Sequence, residues 1–150
     1  MTVRIRLAAA DDADAICAID PRVRDIRGRR PFIERGIAAS ACHVAVDGGA
    51  IVGYAVFDRS LYEQPFLSLL VVDEAQRRHG IGAALMRHIE SICPEEKLFT
   101  STNESNTPMR RLCEKLGFVR SGHIENLDEG DPEIVYFKRL RSFGGDAYTC

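Results

Sequence analysis

Apolar residues along the chain fall into short runs whose spacing switches between the period of a strand and that of a helix. Residues 3–7 read VRIRL, apolar on one face and arginine on the other, which predicts a first strand. Asp11 and Asp14 precede Ala15, Ile16 and Ile19, a capped helix that Asp20-Pro21 closes. Residues 22–30 are the least regular stretch, and a short helix is predicted over 32–39. Residues 42–46 and 51–57 predict two strands joined at Asp47-Gly48-Gly49, a hairpin signal. Residues 67–72, LSLLVV, predict a buried strand bounded by Pro65 and by Asp73-Glu74. Ile81, Leu85, Ile89 and Ile92 then form one stripe of an amphipathic helix, closed by Pro94.

A further strand is predicted over 98–102 and a helix over 106–116, whose Met109, Leu112, Cys113 and Leu116 fall at i, i+3, i+4 and i+7, with Gly117 as its left-handed cap. Segments 118–124 and 134–140 pair as strands across an acidic connection, 125–133, and residues 141–150 read as a tail. With no internal repeat, this order predicts an α/β fold: a mixed sheet flanked by helices, rather than an alternating parallel barrel.

Composition narrows the function classes. At 150 residues the chain is long enough for a single domain with a real core, and 45% hydrophobic with 28% charged residues is the balance of a soluble globular protein. A net charge of -2 gives no reason to expect nucleic-acid binding. No apolar stretch approaches a membrane span, so a cytoplasmic location is expected. The five cysteines, Cys17, Cys42, Cys93, Cys113 and Cys150, form neither a CxxC pair nor a cluster at metal spacing, which fits reduced thiols and no metal.

The candidate chemistry lies between the 67–72 strand and the helix that follows. Arg77-Arg78-His79-Gly80-Ile81-Gly82 has the spacing RxxGxG. Two glycines at a helix start remove side chains where a ligand approaches the first free N–H groups, and those groups with the helix dipole favour an anion. Three basic or polarisable side chains stand at the same end. The physical reading is a phosphate or pyrophosphate site.

That segment resembles the acetyl-CoA-binding motif of the GNAT acyltransferases, (Q/R)xxGx(G/A) after a buried strand. Residues 106–118, NTPMRRLCEKLGF, are similar to the family's later helix, N-x-x-A-x-x-x-Y-E-K-L-G-F. The resemblance implies a fold with splayed central strands, acetyl-CoA as acyl donor, and transfer to a primary amine of a small molecule or peptide by direct attack in a ternary complex; family members commonly form homodimers. It assigns the pyrophosphate to the amides from Arg78 to Gly82, beside Arg77, and the pantetheine arm and thioester carbonyl to the backbone of Val71 and Val72. Asn106 matches a pantetheine-contacting asparagine, and equally suits a helix cap.

Two departures concern catalysis. Cys113 occupies the slot of a tyrosine that protonates the leaving thiolate; it is either a proton donor through a bridging water or a packing residue. The motif strand lacks the glutamate that often serves as base, leaving Ser68 to hold a water, with His43 and Glu63 in reserve. For the acceptor, Arg22, Arg24, Arg27, Arg29 and Arg30 border the site in the family's layout and suit an anionic group, while the 125–133 connection suits a cationic amine. The alternative to an enzyme is a degenerate acyl-CoA sensor. A nucleotide-binding domain is disfavoured, because neither a phosphate-loop Gly-Lys-Ser/Thr nor GxGxxG is present.

Overall fold

The computed structural model describes residues 2–140; the 141–150 tail expected above lies outside the described residues. The elements are β1 (Arg4–Leu7), α1 (Ala13–Ile19), α2 (Arg22–Asp25), α3 (Arg29–Ala38), β2 (Cys42–Asp47), β3 (Ala50–Leu61), β4 (Gln64–Val72), α4 (Ile81–Ile92), β5 (Lys97–Asn103), α5 (Thr107–Lys115), β6 (Val119–Ile124) and β7 (Glu133–Arg139). The fold is mixed α/β, with a seven-stranded sheet in the order β1-β2-β3-β4-β5-β7-β6 flanked by helices. Among the described residues, no helix is long and apolar enough to cross a membrane, and no three His, Cys, Asp or Glu side chains are placed to hold a metal.

The largest difference from the sequence reading is the β3–β4 hairpin. Both strands run beyond the predicted bounds and meet at Tyr62 (φ 49°) and Glu63 (φ 61°), a two-residue turn with both residues left-handed. Such turns are normally announced by Asn-Gly or Gly-Gly, and neither is present. Pro65, read as a boundary, is buried one residue inside β4.

The described chain forms two compact units. The first takes the chain to Asp58 together with Leu67–Ile89. In it β2 is antiparallel to β3, with Cys42 opposite Val56 and Val44 opposite Tyr54. These four side chains pack with Ile16 of α1 and Ile33 of α3 into a core cluster. The alternate residues face α4. A Cβ placed on Gly53 would lie 3.0 Å from Ile81 Cγ2, 3.1 Å from the Val71 carbonyl oxygen and 3.2 Å from Leu85 Cδ1, so glycine is what lets α4 sit this close to β3. The buried Ile81, Leu85 and Ile89 contribute about 2 kcal/mol each by leaving water. The start of α1 is tied down by Asp12, which accepts from the Ala9 N–H at 2.7 Å and from Arg6 at 2.7 Å; α1 ends at Asp20, extended as a residue before proline must be.

Among the described residues, the second unit comprises Arg59–Phe66 and the chain from Glu90 to Leu140. β7 pairs antiparallel with both β5 and β6. Tyr136 and Lys138 face the α5 side, where Tyr136 accepts from Arg110 at 3.3 Å and Lys138 donates to Glu90 at 2.6 Å. Phe137 on the opposite face stacks against Phe99 with centroids 5.3 Å apart.

Candidate functional site

The turn from β4 into α4 is built by local rules. Asp73 leaves the strand with its N–H bonded to the Val52 carbonyl at 2.8 Å, and its carboxylate accepts from the Ala75 N–H, opening a short 3-10 turn over Glu74–Gln76. Arg77 is extended, Arg78 is left-handed at φ 71°, and Gly80 is left-handed at φ 77°. The first bond of α4 runs from the Ala84 N–H to the Gly80 carbonyl at 3.0 Å, so the N–H groups of Ile81, Gly82 and Ala83 have no acceptor in the helix. A Cβ on Gly80 would meet nothing within 4 Å, which leaves the approach to those amides open.

A left-handed arginine costs about 1 kcal/mol, and strain of this kind is retained where the loop's shape is needed. Arg77, Arg78 and His79 are exposed, and none is paired with a protein carboxylate among the described residues. Open backbone, free amides, a helix N-terminus and unpaired cations together fit a pyrophosphate. Gly53 beneath α4 sets where these amides stand.

Val71 packs its side chain against the core cluster of the first unit, and Val72 ends β4 half-buried, so any ligand contact here falls to their backbone. Ser68 donates to Asp58 Oδ2 at 2.8 Å and lies 3.2 Å from the Val56 carbonyl. Asp58 is a residue that sequence reasoning missed. It sits near the end of β3, beyond the predicted strand, and only the longer hairpin brings its carboxylate onto the motif strand. The available signal was a carboxylate directly after the apolar run 51–57.

His43, a reserve base, is buried against His88 with ring centroids 5.3 Å apart. Burial, and then the neighbouring imidazole, push it down to about 4. Its Nδ1 has no hydrogen-bond partner among the described residues. Glu63 lies at the exposed tip of the β3–β4 hairpin, where its carbonyl accepts from Arg59 at 2.8 Å.

A cleft of about 700 Å³ opens between α1, α2 and the Asp73-Glu74 turn, all in the first unit. Its Asp20 is 2% exposed and accepts from Tyr54 Oη at 2.6 Å, Arg29 Nη1 at 2.8 Å and the Arg22 N–H at 2.9 Å. Burial and the carboxylate behind it raise the Tyr54 hydroxyl well above an ordinary phenol. Arg29 therefore holds α3 to the end of α1. Arg30 pairs with Asp14 at 2.6 Å and Glu34 at 3.3 Å. Arg22 and Arg27 are exposed, and of the five arginines Arg24 lines the cleft, beside Asp25 and Glu74.

In the second unit Asn106 caps α5, its side-chain oxygen accepting from the Met109 N–H at 3.3 Å. Cys113 is fully buried, and burial pushes its thiol up to about 12. Much of the acidic connection is engaged with the end of β5: Asp128 accepts from Asn103 at 2.8 Å, Asp131 from the Ser105 hydroxyl at 2.6 Å and Glu133 from Ser101 at 2.7 Å.

Comparison with known proteins identifies the fold and the family. A crystal structure of a GNAT-family acetyltransferase from Bacillus cereus ATCC 10987 superimposes with a TM-score of 0.87 at 36% identity, covering 95% of this chain and 100% of that one. A Salmonella typhimurium protein solved with its cofactor acetyl-CoA shares the fold at a TM-score of 0.75 and 18% identity, over 99% of this chain and 100% of that one. Mycothiol acetyltransferase of Rhodococcus erythropolis is 37% identical over 82 residues, 51% of this chain and 27% of that protein. The chain spans about a quarter of the length of the curated relatives it matches. The profile of the acetyltransferase (GNAT) family matches residues 13–118, and the chain belongs to that family.

Proposed function

We propose that the chain is an acetyl-CoA-dependent N-acetyltransferase that acts on the primary amine of a small molecule or peptide by direct attack in a ternary complex. The observation that carries this reading is the β4–α4 turn: left-handed Gly80 facing open space and, among the described residues, three amides without helix acceptors and three basic residues without carboxylate partners. When bound, acetyl-CoA supplies an acetyl thioester activated towards amines.

The residues of the chain then do the following. The amides of Ile81, Gly82 and Ala83, with Arg77, Arg78 and His79, bind the pyrophosphate, and the α4 dipole adds to the attraction. The backbone of Val71 and Val72 orients the pantetheine arm and polarises the thioester carbonyl. The cleft between α1, α2 and the turn admits the acceptor, with Asp25 and Glu74 favouring an ammonium and Arg24 a carboxylate on the same molecule. Asp58, held by Ser68, receives a proton from the amine through water. Cys113, buried and protonated, packs the core of its unit.

A second reading, an acyl-CoA sensor without turnover, is favoured by that same Cys113, since no tyrosine stands in its slot. Following free CoA released from acetyl-CoA against amino acids, polyamines, aminoglycosides and short peptides separates the two, with binding titrated in parallel. Release that depends on an acceptor is expected. Firm binding with no release across the pool would establish the sensor, and preference for ATP or NAD over CoA would overturn both.

A further inference from the structure

Folding divides the arginines of segment 22–30 into two groups. Arg29 is paired with Asp20, and Arg30 with Asp14 and Glu34, whereas the side chains of Arg22, Arg24 and Arg27 make no ion pair or hydrogen bond among the described residues. Val23 packs against the core cluster, so at about 3.6 residues per turn its neighbours Arg22 and Arg24 leave α2 on opposite flanks. Arg24 is the one that lines the cleft. Ile26 then ends the helix in an extended conformation, its N–H bonded to the Arg22 carbonyl at 2.8 Å and its carbonyl to the Arg29 N–H at 3.0 Å. Because Arg29 is anchored to buried Asp20 at 2.8 Å, the turn that carries Arg27 is tied at both ends. Arg27 is exposed there, just outside the cleft.

Inside the cleft the free charges have the opposite sign. Asp20 is engaged by Tyr54, Arg29 and the Arg22 N–H, and Asp73 by the Ala75 N–H. Asp25 and Glu74 are exposed, and their carboxylates are unengaged among the described residues. An acceptor thus meets two free carboxylates within, one arginine on the wall and a second outside. Both arginines repel a polyamine, and a single amino acid held in the cleft reaches Arg24 alone. A phosphate needs cations that converge on one point, but Arg24 and Arg27 are spaced along the chain, about 5–10 Å apart between the helical and extended limits. Carboxylates on alternate residues of an extended peptide recur about every 7 Å.

On the reading of the chain as an acetyltransferase, on which this rests, we infer that the acceptor is the terminal amine of a peptide with acidic residues close behind it. The ammonium enters between Asp25 and Glu74, one carboxylate meets Arg24 and the next meets Arg27. In the transfer the N–C bond forms and the C–S bond breaks. Of the two protons the ammonium loses, one ends on the CoA thiol and the other passes through water and Asp58 to solvent.

The test compares two C-terminally amidated hexapeptides, Ala-Glu-Ala-Glu-Ala-Ala and Ala-Gln-Ala-Gln-Ala-Ala, as acceptors by CoA release and, with a C-terminal fluorophore, as ligands by anisotropy. The acidic peptide is expected to show a kcat/KM about ten-fold or more above the neutral one, carried by KM, and to bind tighter by a similar factor. The margin narrows as salt rises from about 0.1 to about 1 M, over which the Debye length falls from about 10 to about 3 Å. Arg24→Glu and Arg27→Glu each cut the margin about three-fold or more with kcat within about two-fold, and together they make Ala-Lys-Ala-Lys-Ala-Ala the tighter ligand. Arg35→Glu, the same change of charge on α3 outside the cleft, leaves the margin intact. All three arginines are exposed, so circular dichroism stays that of the wild type. Acetylating the peptide's amine weakens its binding about ten-fold, because Asp25 and Glu74 lose their partner. Equal use of the acidic and neutral peptides, a loss with Arg35→Glu as large as with Arg24→Glu, or a polyamine or phosphorylated amine preferred over every peptide overturns the proposal. If no acceptor releases CoA, the acetyltransferase reading falls by itself; equal binding of the two peptides then overturns the arginine selection as well, and tighter binding of the acidic one upholds it.

Discussion

Cys113 sits on the apolar stripe of α5 at the slot where the family often carries tyrosine, and its full burial makes it part of the core of its unit. Cys113→Ala is therefore expected to leave the turnover number within about two-fold of wild type while lowering unfolding stability by about 1–2 kcal/mol, the cost of a small cavity. Steady-state kinetics beside urea unfolding reads both, and a kinetic loss without a stability loss would restore the thiol as proton donor. Asp58 makes the opposite prediction. Asp58→Asn keeps a hydrogen-bond partner for Ser68 but removes the carboxylate, so the rate near pH 7 falls about 100-fold with the KM for acetyl-CoA unchanged. A fall that disappears at high pH, where the amine is already neutral, is the signature of a base. The periodicity of α5 was enough to place Cys113 on its apolar face, because an i, i+3, i+4 pattern depends on neighbours in sequence. Nothing local showed that Asp58 would lie beside Ser68.

Two elements meet at α4, and each contact carries a measurable consequence. Gly53→Val inserts a side chain where even one Cβ is 3.0 Å from Ile81 and 3.1 Å from a carbonyl oxygen, so α4 must lift. The expected result is a loss of about 1–3 kcal/mol in urea unfolding and weaker acetyl-CoA binding by titration, because the pyrophosphate amides ride on that helix. Unchanged binding in a destabilised variant would separate the helix position from the site. Further along α4, His88 faces His43. His43 is held near 4 when folded and returns to 6.5 when unfolded, so between those values the unfolded chain binds the extra proton. Stability is complete above about pH 6.5 and is lost as pH falls towards 4, by about 3 kcal/mol for this residue. Burial lowers His88 as well, in the same direction. Unfolding at pH 7 and pH 4.5 checks the slope, and His43→Leu should flatten most of it. Both strands and helices here were visible in the sequence, but their facing was not. The β3–β4 hairpin illustrates the reason: Tyr62 and Glu63 adopt a turn for which neither has a preference, and they hold it because the long strands on either side pair.

At the scale of the molecule, a ligand that binds only the folded chain stabilises it by mass action. Acetyl-CoA at 100 times its Kd should raise unfolding free energy by about 2.7 kcal/mol, a rise of about 5–10 °C in Tm for a chain of this size, with NAD at equal concentration giving none; a thermal scan that shows equal shifts for both would remove the cofactor assignment. What the sequence by itself determined was the order of the strands and of the longer helices, the RxxGxG turn after a buried strand and the later helix over 106–116, and with them the family; the four-residue α2 (Arg22–Asp25) was not among them. Each is written in residues close along the chain, where period, capping and glycine placement act locally. The tertiary structure decided the assignments that depend on distant partners. It gave Arg29 to Asp20 and Tyr54, Arg30 to Asp14 and Glu34, and Asp128, Asp131 and Glu133 to the end of β5, so that charges which looked available for an acceptor are largely engaged within the chain. A charge run in a sequence records how many ionic groups a surface has. Which of them remain for a ligand is settled only when folding brings their counter-ions within hydrogen-bond reach.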